Sequence, residues 1–205
     1  LIKLDNMPLL VVNDDETIRD ELRAYFEQTC ELYDALFSLI NEDEAFVLRP
    51  EPLRHPLIFY YGYTAVFYVN KLLLGKFIQT RVNNQIESVC AVGVDEMSWD
   101  DLSPGNYQWP SVDSVSEYRD QVKDIVLNLI DNMKITLPIT QDSLAWVILM
   151  GCEHERIHIE TSSVIMRMLD TRYLTSSNAW KDCQDLGQAP SNSLLNVAGQ
   201  SIVLG

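Results

Sequence analysis

Two of the chain's three histidines, His154 and His158, stand four residues apart in the run Glu153-His154-Glu155-Arg156-Ile157-His158-Ile159-Glu160. On an α-helix, residues i and i+4 lie on one face, a turn apart. Two imidazoles so placed can hold one metal ion from one side, a geometry that helical metalloenzymes use. At about 100° per residue, Trp146, Met150, Ile157, Thr161, Val164 and Met168 fall to one side of His154 or nearly in line with it. Val147, His158 and Ile165 fall just to the other side. The spacing therefore predicts that the pair interrupts the middle of an apolar stripe and faces the interior. Buried imidazoles need hydrogen-bond partners or a metal to offset their desolvation. The bland alternative is a pair of satisfied core histidines. The carboxylates of Glu153, Glu155 and Glu160 favour a metal, because such acceptors orient metal-bound imidazoles. Cys152 lies roughly 160° around the helix from His154 and belongs to another face.

The elements that must position this pair follow from helical periodicity. A first helix is predicted over about 15–40, capped by Asp14 or Asp15, with Ile18, Leu22, Tyr25, Phe26, Leu32, Leu36 and Leu39 on one face. A second opens at Pro56 and runs to about Leu74, where Gly75 stops it. Its tyrosines Tyr60, Tyr61 and Tyr68 read as core and boundary packing with satisfied hydroxyls. A long connection over about 78–110, partly helical, leads to a third helix at about 114–133. Connections of that length inside a compact domain are often functional. The fourth helix is capped at Thr140 and continues to about 169, carrying the histidine pair. Four amphipathic helices with one long crossover predict an all-α four-helix bundle over 1–172, whose interior is a usual home for metal sites. The polar, turn-rich stretch from Thr171 to Asn192 reads as a linker, so 173–205 is expected to be a tail leading onward.

Composition narrows the function classes. A 23.5 kDa chain that is 47% hydrophobic can bury one sizeable core. A net charge of −15, with no run among its 15 basic residues, argues against nucleic-acid or anionic-membrane partners. Cys30, Cys90, Cys152 and Cys183 form no CxxC pair, which argues against a zinc ribbon or a disulfide scaffold and suits a reducing, cytoplasmic compartment. No signal peptide or membrane span is expected. The chain starts at Leu1 and stops where a strand-like pattern begins at Gly199 to Gly205, so it reads as a piece of something longer.

Four segments carry a family resemblance: Arg54-His55-Pro56-Leu57-Ile58-Phe59-Tyr60-Tyr61-Gly62, Gly93 through Leu102, Trp109-Pro110, and Met150 through Ser163. Together they resemble the N-terminal DinB-like domain of ovothiol synthases (5-histidylcysteine sulfoxide synthases), relatives of the ergothioneine sulfoxide synthases. The resemblance implies a DinB-like four-helix bundle holding a mononuclear non-haem Fe(II) through three histidines. It further implies oxidative coupling of cysteine and histidine with O₂ to a sulfoxide. His154 and His158 match two of the ligands, with Glu160 completing an HxxxHxE motif. Glu160 lies roughly 160° around the helix from His158, so its expected role is structural or indirect. The third ligand falls in a Tyr-Tyr-Gly-His-Thr-Ala context, where this chain has Tyr63. A phenol, with an unperturbed pKa of about 10, binds a metal well only as phenolate. Tyr63 thus either ligates, or hydrogen-bonds a water ligand, or leaves a two-histidine site. His55 precedes Tyr63 by eight residues, about 12 Å along a helix, too far to replace it; it reads as a structural residue at the helix start.

Arg81 and Glu87 fall where the family places substrate-handling residues, and equally fit a solvated charged face. Asp95, Glu96, Trp99, Asp100 and Asp101 read as a structured loop against a further domain. In the resembling enzymes a C-terminal sulfatase-modifying-factor-like domain completes the substrate pocket, so the expected partners are cysteine, histidine, O₂ and that domain. Two other readings stand beside this one. The first is a degenerate bundle serving as a folding or interaction module; the second, ranked last, is a DinB-like thiol transferase using zinc.

Overall fold

Each long helix starts where a side chain can satisfy the free backbone N–H groups of its first turn. The computed structural model describes residues 6–10, 14–93, 107–177, 180 and 187–201. In it, helix α1 (Asp15–Phe37) is capped by Asp14, whose carboxylate accepts from Thr17 N at 3.1 Å. Helix α5 (Val112–Asn132) is capped by Ser111 and helix α6 (Leu144–Met166) by Ser143. Helix α3 (Leu57–Leu74) follows Pro56 and ends at Gly75, whose N–H closes on Lys71 O. Two short helices fill the connections, α2 (Glu44–Val47) and α4 (Asn84–Val89). Expected helix ends lie within about four residues of the observed ones. The exception in kind is α2, too short to leave a periodic signature.

The four long helices form the bundle. α6 packs between α1 and α3, and α5 closes the ring against the other sides of both. The fold is all-helical among the described residues, as the periodicity predicts. Among the described residues, α3 alone is long and apolar enough by composition to cross a membrane, yet 72% of it is buried within the bundle. Close approach is built in at two glycines. A Cβ on Gly62 would stand 2.6 Å from Cys90 Sγ, and one on Gly151 would fall on the Tyr68 ring. The Tyr68 hydroxyl is buried without a hydrogen-bond partner among the described residues, against expectation. Cys30, Cys90 and Cys152 are buried free thiols.

The centre of the bundle is polar. Arg119 of α5 donates to Glu155 of α6 at 2.8 Å, to Thr64 Oγ1 and Tyr61 O of α3 at 2.9 and 3.1 Å, and to Asp34 of α1 at 3.4 Å. One guanidinium thus touches all four long helices. Arg119 and Glu155 are 8% and 2% exposed, so the pair is desolvated and holds only because each charge has its partner.

After α6, a short 3₁₀ turn (Thr171–Tyr173) buries Tyr173, and Thr175 N donates to Leu39 O at 2.8 Å. The bundle therefore holds the chain through Thr175. Residues 187–201 are exposed and irregular. Cys183 and the cluster from Asp95 to Asp101 lie outside the described residues; of the strand expected over Gly199 to Gly205, residues 199–201 are irregular and the rest lie outside the described residues.

Candidate metal centre

The buried arc of α6 runs through Ile148, Gly151, Cys152, Glu155, Ser162 and Met166. Its middle lies about 100° around the helix from His154, in the direction of Glu155. The expectation that the histidines occupy the centre of an inward stripe is therefore corrected. Trp146, Ile157, Val164 and Met168 are 42%, 60%, 46% and 48% exposed. His154 and His158, both half-buried, sit at the boundary between the core face and this outward apolar strip. The physical reason is that α6 is apolar nearly all round, so periodicity selects no face. The Arg119 charge inside the bundle selects it, by drawing Glu155 inward.

At that boundary α3 meets α6. The rings of His154 and His158 have centroids 4.5 Å apart, and the Tyr63 ring stands edge-on to both, at 4.9 and 5.2 Å. Phe67, one turn past Tyr63, stacks flat on His154 at 3.8 Å. Thr161 Oγ1 lies 3.2 Å from His158 Nδ1. Burial, then the neighbouring His158 and Lys71, push the His154 pKa down to about 3, and burial brings His158 to about 4. Both rings are thus neutral at pH 7, the form in which imidazole binds a metal. His154 Nδ1 is buried with no hydrogen-bond partner among the described residues. An imidazole desolvated and left short of a partner costs free energy that a bound ion would offset. The ring spacing also lets one ion with bonds of about 2.0–2.1 Å reach both. These residues therefore fit a metal as a two-nitrogen site with a phenol alongside. Among the described residues, no three His, Cys, Asp or Glu side chains converge.

The carboxylates expected around the pair are elsewhere. Glu155 serves Arg119, Glu153 accepts from the Tyr25 hydroxyl at 2.5 Å, and Glu160 is exposed on α6. Arg81 and Glu87 come together, but apart from the histidines. Arg81 donates to Glu87 at 2.7 Å and to Asn70 at 3.1 Å. Asn70 lies two turns of α3, about 10 Å, past Tyr63. The other Glu87 oxygen accepts from Val82 N and Asn83 N at 2.8 and 2.9 Å, which shapes the turn leading into α4. His55 is buried in an aromatic cluster, stacked on Phe59 at 4.3 Å with Tyr107 and Trp109 against its edge. The sequence placed Thr161 beside His154 on the helix but not as the hydrogen-bond neighbour of His158, and Phe67 was missed as a neighbour of the pair. Phe67 was legible in principle, lying four residues past Tyr63.

Residues 25–162, most of the bundle, match the DinB superfamily, and the chain belongs to that superfamily. No curated protein matches the chain.

Proposed function

We propose that this DinB-superfamily bundle binds one divalent metal ion through His154 and His158, with Tyr63 as third donor or as hydrogen-bond partner of a metal-bound water. The observation that carries the reading is the pair of desolvated, neutral imidazoles 4.5 Å apart, one with an Nδ1 that has no partner among the described residues. Extended to chemistry, the reading is the iron-binding part of an ovothiol-synthase-like sulfoxide synthase. An Fe(II) ion there would supply O₂ activation for joining cysteine sulfur to the imidazole of histidine. The chain's own contribution is positional. Phe67 fixes the plane of His154 by stacking, Thr161 orients His158, and the apolar flank limits water at the pair. Arg81 and Glu87 would act on substrate only if the turn they hold opened toward the pair. In this reading a further domain completes the pocket, so the 205 residues with iron, O₂, cysteine and histidine form no sulfoxide.

Anaerobic Fe(II) titration tests the reading. One ion should bind per chain, and His154→Ala should abolish binding. A wild-type chain that takes up neither Fe(II) nor Zn(II) favours the second reading, a bundle that no longer catalyses and serves as a folding or interaction module. Two observations favour that alternative: a phenol stands where the resembling enzymes have an imidazole, and the Lys71 ammonium is close enough to depress His154.

A further inference from the structure

Next to the histidine pair, between the turn that precedes α3 and the later part of α6, lies an open cleft of about 510 Å³. That volume is typical of small-molecule sites. Two of its lining residues also touch His158: Tyr60, with ring centroids 5.9 Å apart, and Thr161 through its hydroxyl. Leu53, Val164 and Met168 give the cleft an exposed apolar lining, with Leu53 at 77%.

In a chain of net −15, the cleft carries one guanidinium, Arg54, and one carboxylate, Glu51. The Arg54 guanidinium lines the cleft beside the Tyr60 hydroxyl and makes no ion pair among the described residues. Arg49 stands behind it, donating to Arg54 O and Pro52 O at 3.1 and 2.6 Å, and so braces the turn that presents Arg54. The one carboxylate in the lining, Glu51, accepts from Leu53 N at 3.0 Å and is folded into its own turn. A guanidinium with an adjacent phenol is suited to a carboxylate, which it can grip with two N–H groups. The apolar lining suits a hydrocarbon, and an ammonium group on that hydrocarbon would lose hydration against Leu53, Val164 and Met168.

We propose that this cleft binds a small organic monocarboxylate with an apolar body, the carboxylate on Arg54 and Tyr60 and the hydrocarbon along Leu53, Val164 and Met168. The ligand then lies beside His158. Binding itself needs only the cleft; the metal-centre reading matters only for what would follow.

The test is titration of the full chain with 4-methylpentanoate in the presence of a chelator, followed by NMR or calorimetry. Saturable binding is expected, weakened roughly ten- to a hundredfold by Arg54→Gln, the range for a charge-assisted hydrogen bond. Val164→Asp, which sets a negative charge in the apolar lining, should weaken it comparably. Leucine, which adds an ammonium to the same skeleton, and 4-methylpentanol, which removes the charge, should each bind at least about tenfold more weakly. Absence of saturable binding, equal affinity of Arg54→Gln, or equal affinity for leucine or inorganic phosphate would each overturn the proposal. Metal uptake without carboxylate binding sinks this inference alone, and carboxylate binding without metal uptake sinks only the metal-centre reading.

Discussion

At the scale of single residues, the protonation of two imidazoles governs both the candidate site and part of the stability. His154 and His158 have folded pKa values of about 3 and 4, against an ordinary 6.5. The unfolded chain therefore takes up protons first as pH falls. The stability these rings contribute is fully present above pH 6.5 and is lost as pH drops toward 4 and then 3, by on the order of a few kcal/mol. Urea midpoints should fall over that window, and replacing both histidines by glutamine should flatten the fall. An unchanged slope in the double variant would place the responsible protons elsewhere. The same depression means that protons do not compete with a metal near neutrality, so affinity should stay level between pH 7 and about 5.5. An exposed pair would instead lose metal near its ordinary pKa. Tyr63 is the residue to change: Tyr63→His supplies a third nitrogen on the same face and should raise Fe(II) affinity at least tenfold (about 1.4 kcal/mol). No gain would mean that position 63 does not point at the ion.

At the scale of elements, α6 shows how far periodicity reaches. Its existence follows from the apolar spacing, but its cap is Ser143 and not the expected Thr140. Its rotation does not follow, because Trp146, Ile157 and Val164 are as apolar as the residues on the buried side. Glu155, which looks in the sequence like one of three carboxylates serving the histidines, is instead the anchor of the helix. Removing it leaves the Arg119 guanidinium buried and unpaired, so Glu155→Ala should cost about 3–5 kcal/mol in chemical denaturation. Glu155→Gln, which keeps hydrogen bonding but drops the charge, should cost less. Equal stability of Glu155→Ala and wild type would show that the ion pair is not what orients α6. Arg119 itself carries no mark in the sequence. It is one basic residue in an amphipathic helix, and only the packing of α1, α3 and α6 around it makes it central.

At the scale of the whole molecule, the described contacts that tie the chain to the bundle run as far as Thr175. A chain ending at 176 should melt within about 2 °C of the full one, a shift worth at most about 1 kcal/mol for a domain of this size. A larger loss would mean that residues beyond 176 pack against the bundle in solution. The same scale separates two kinds of information. Capping residues, helix-breaking prolines and the three-to-four spacing of apolar side chains act within a few turns. They made the all-α class, the long helices and the histidine pair readable from the sequence. Which way α6 turns, which carboxylate goes inside, and that Tyr63, Phe67 and the two imidazoles meet at one seam depend on residues far apart in the chain. Desolvation of a charge is the reason: a buried guanidinium demands a carboxylate wherever the chain can bring one, and that demand has no local signature.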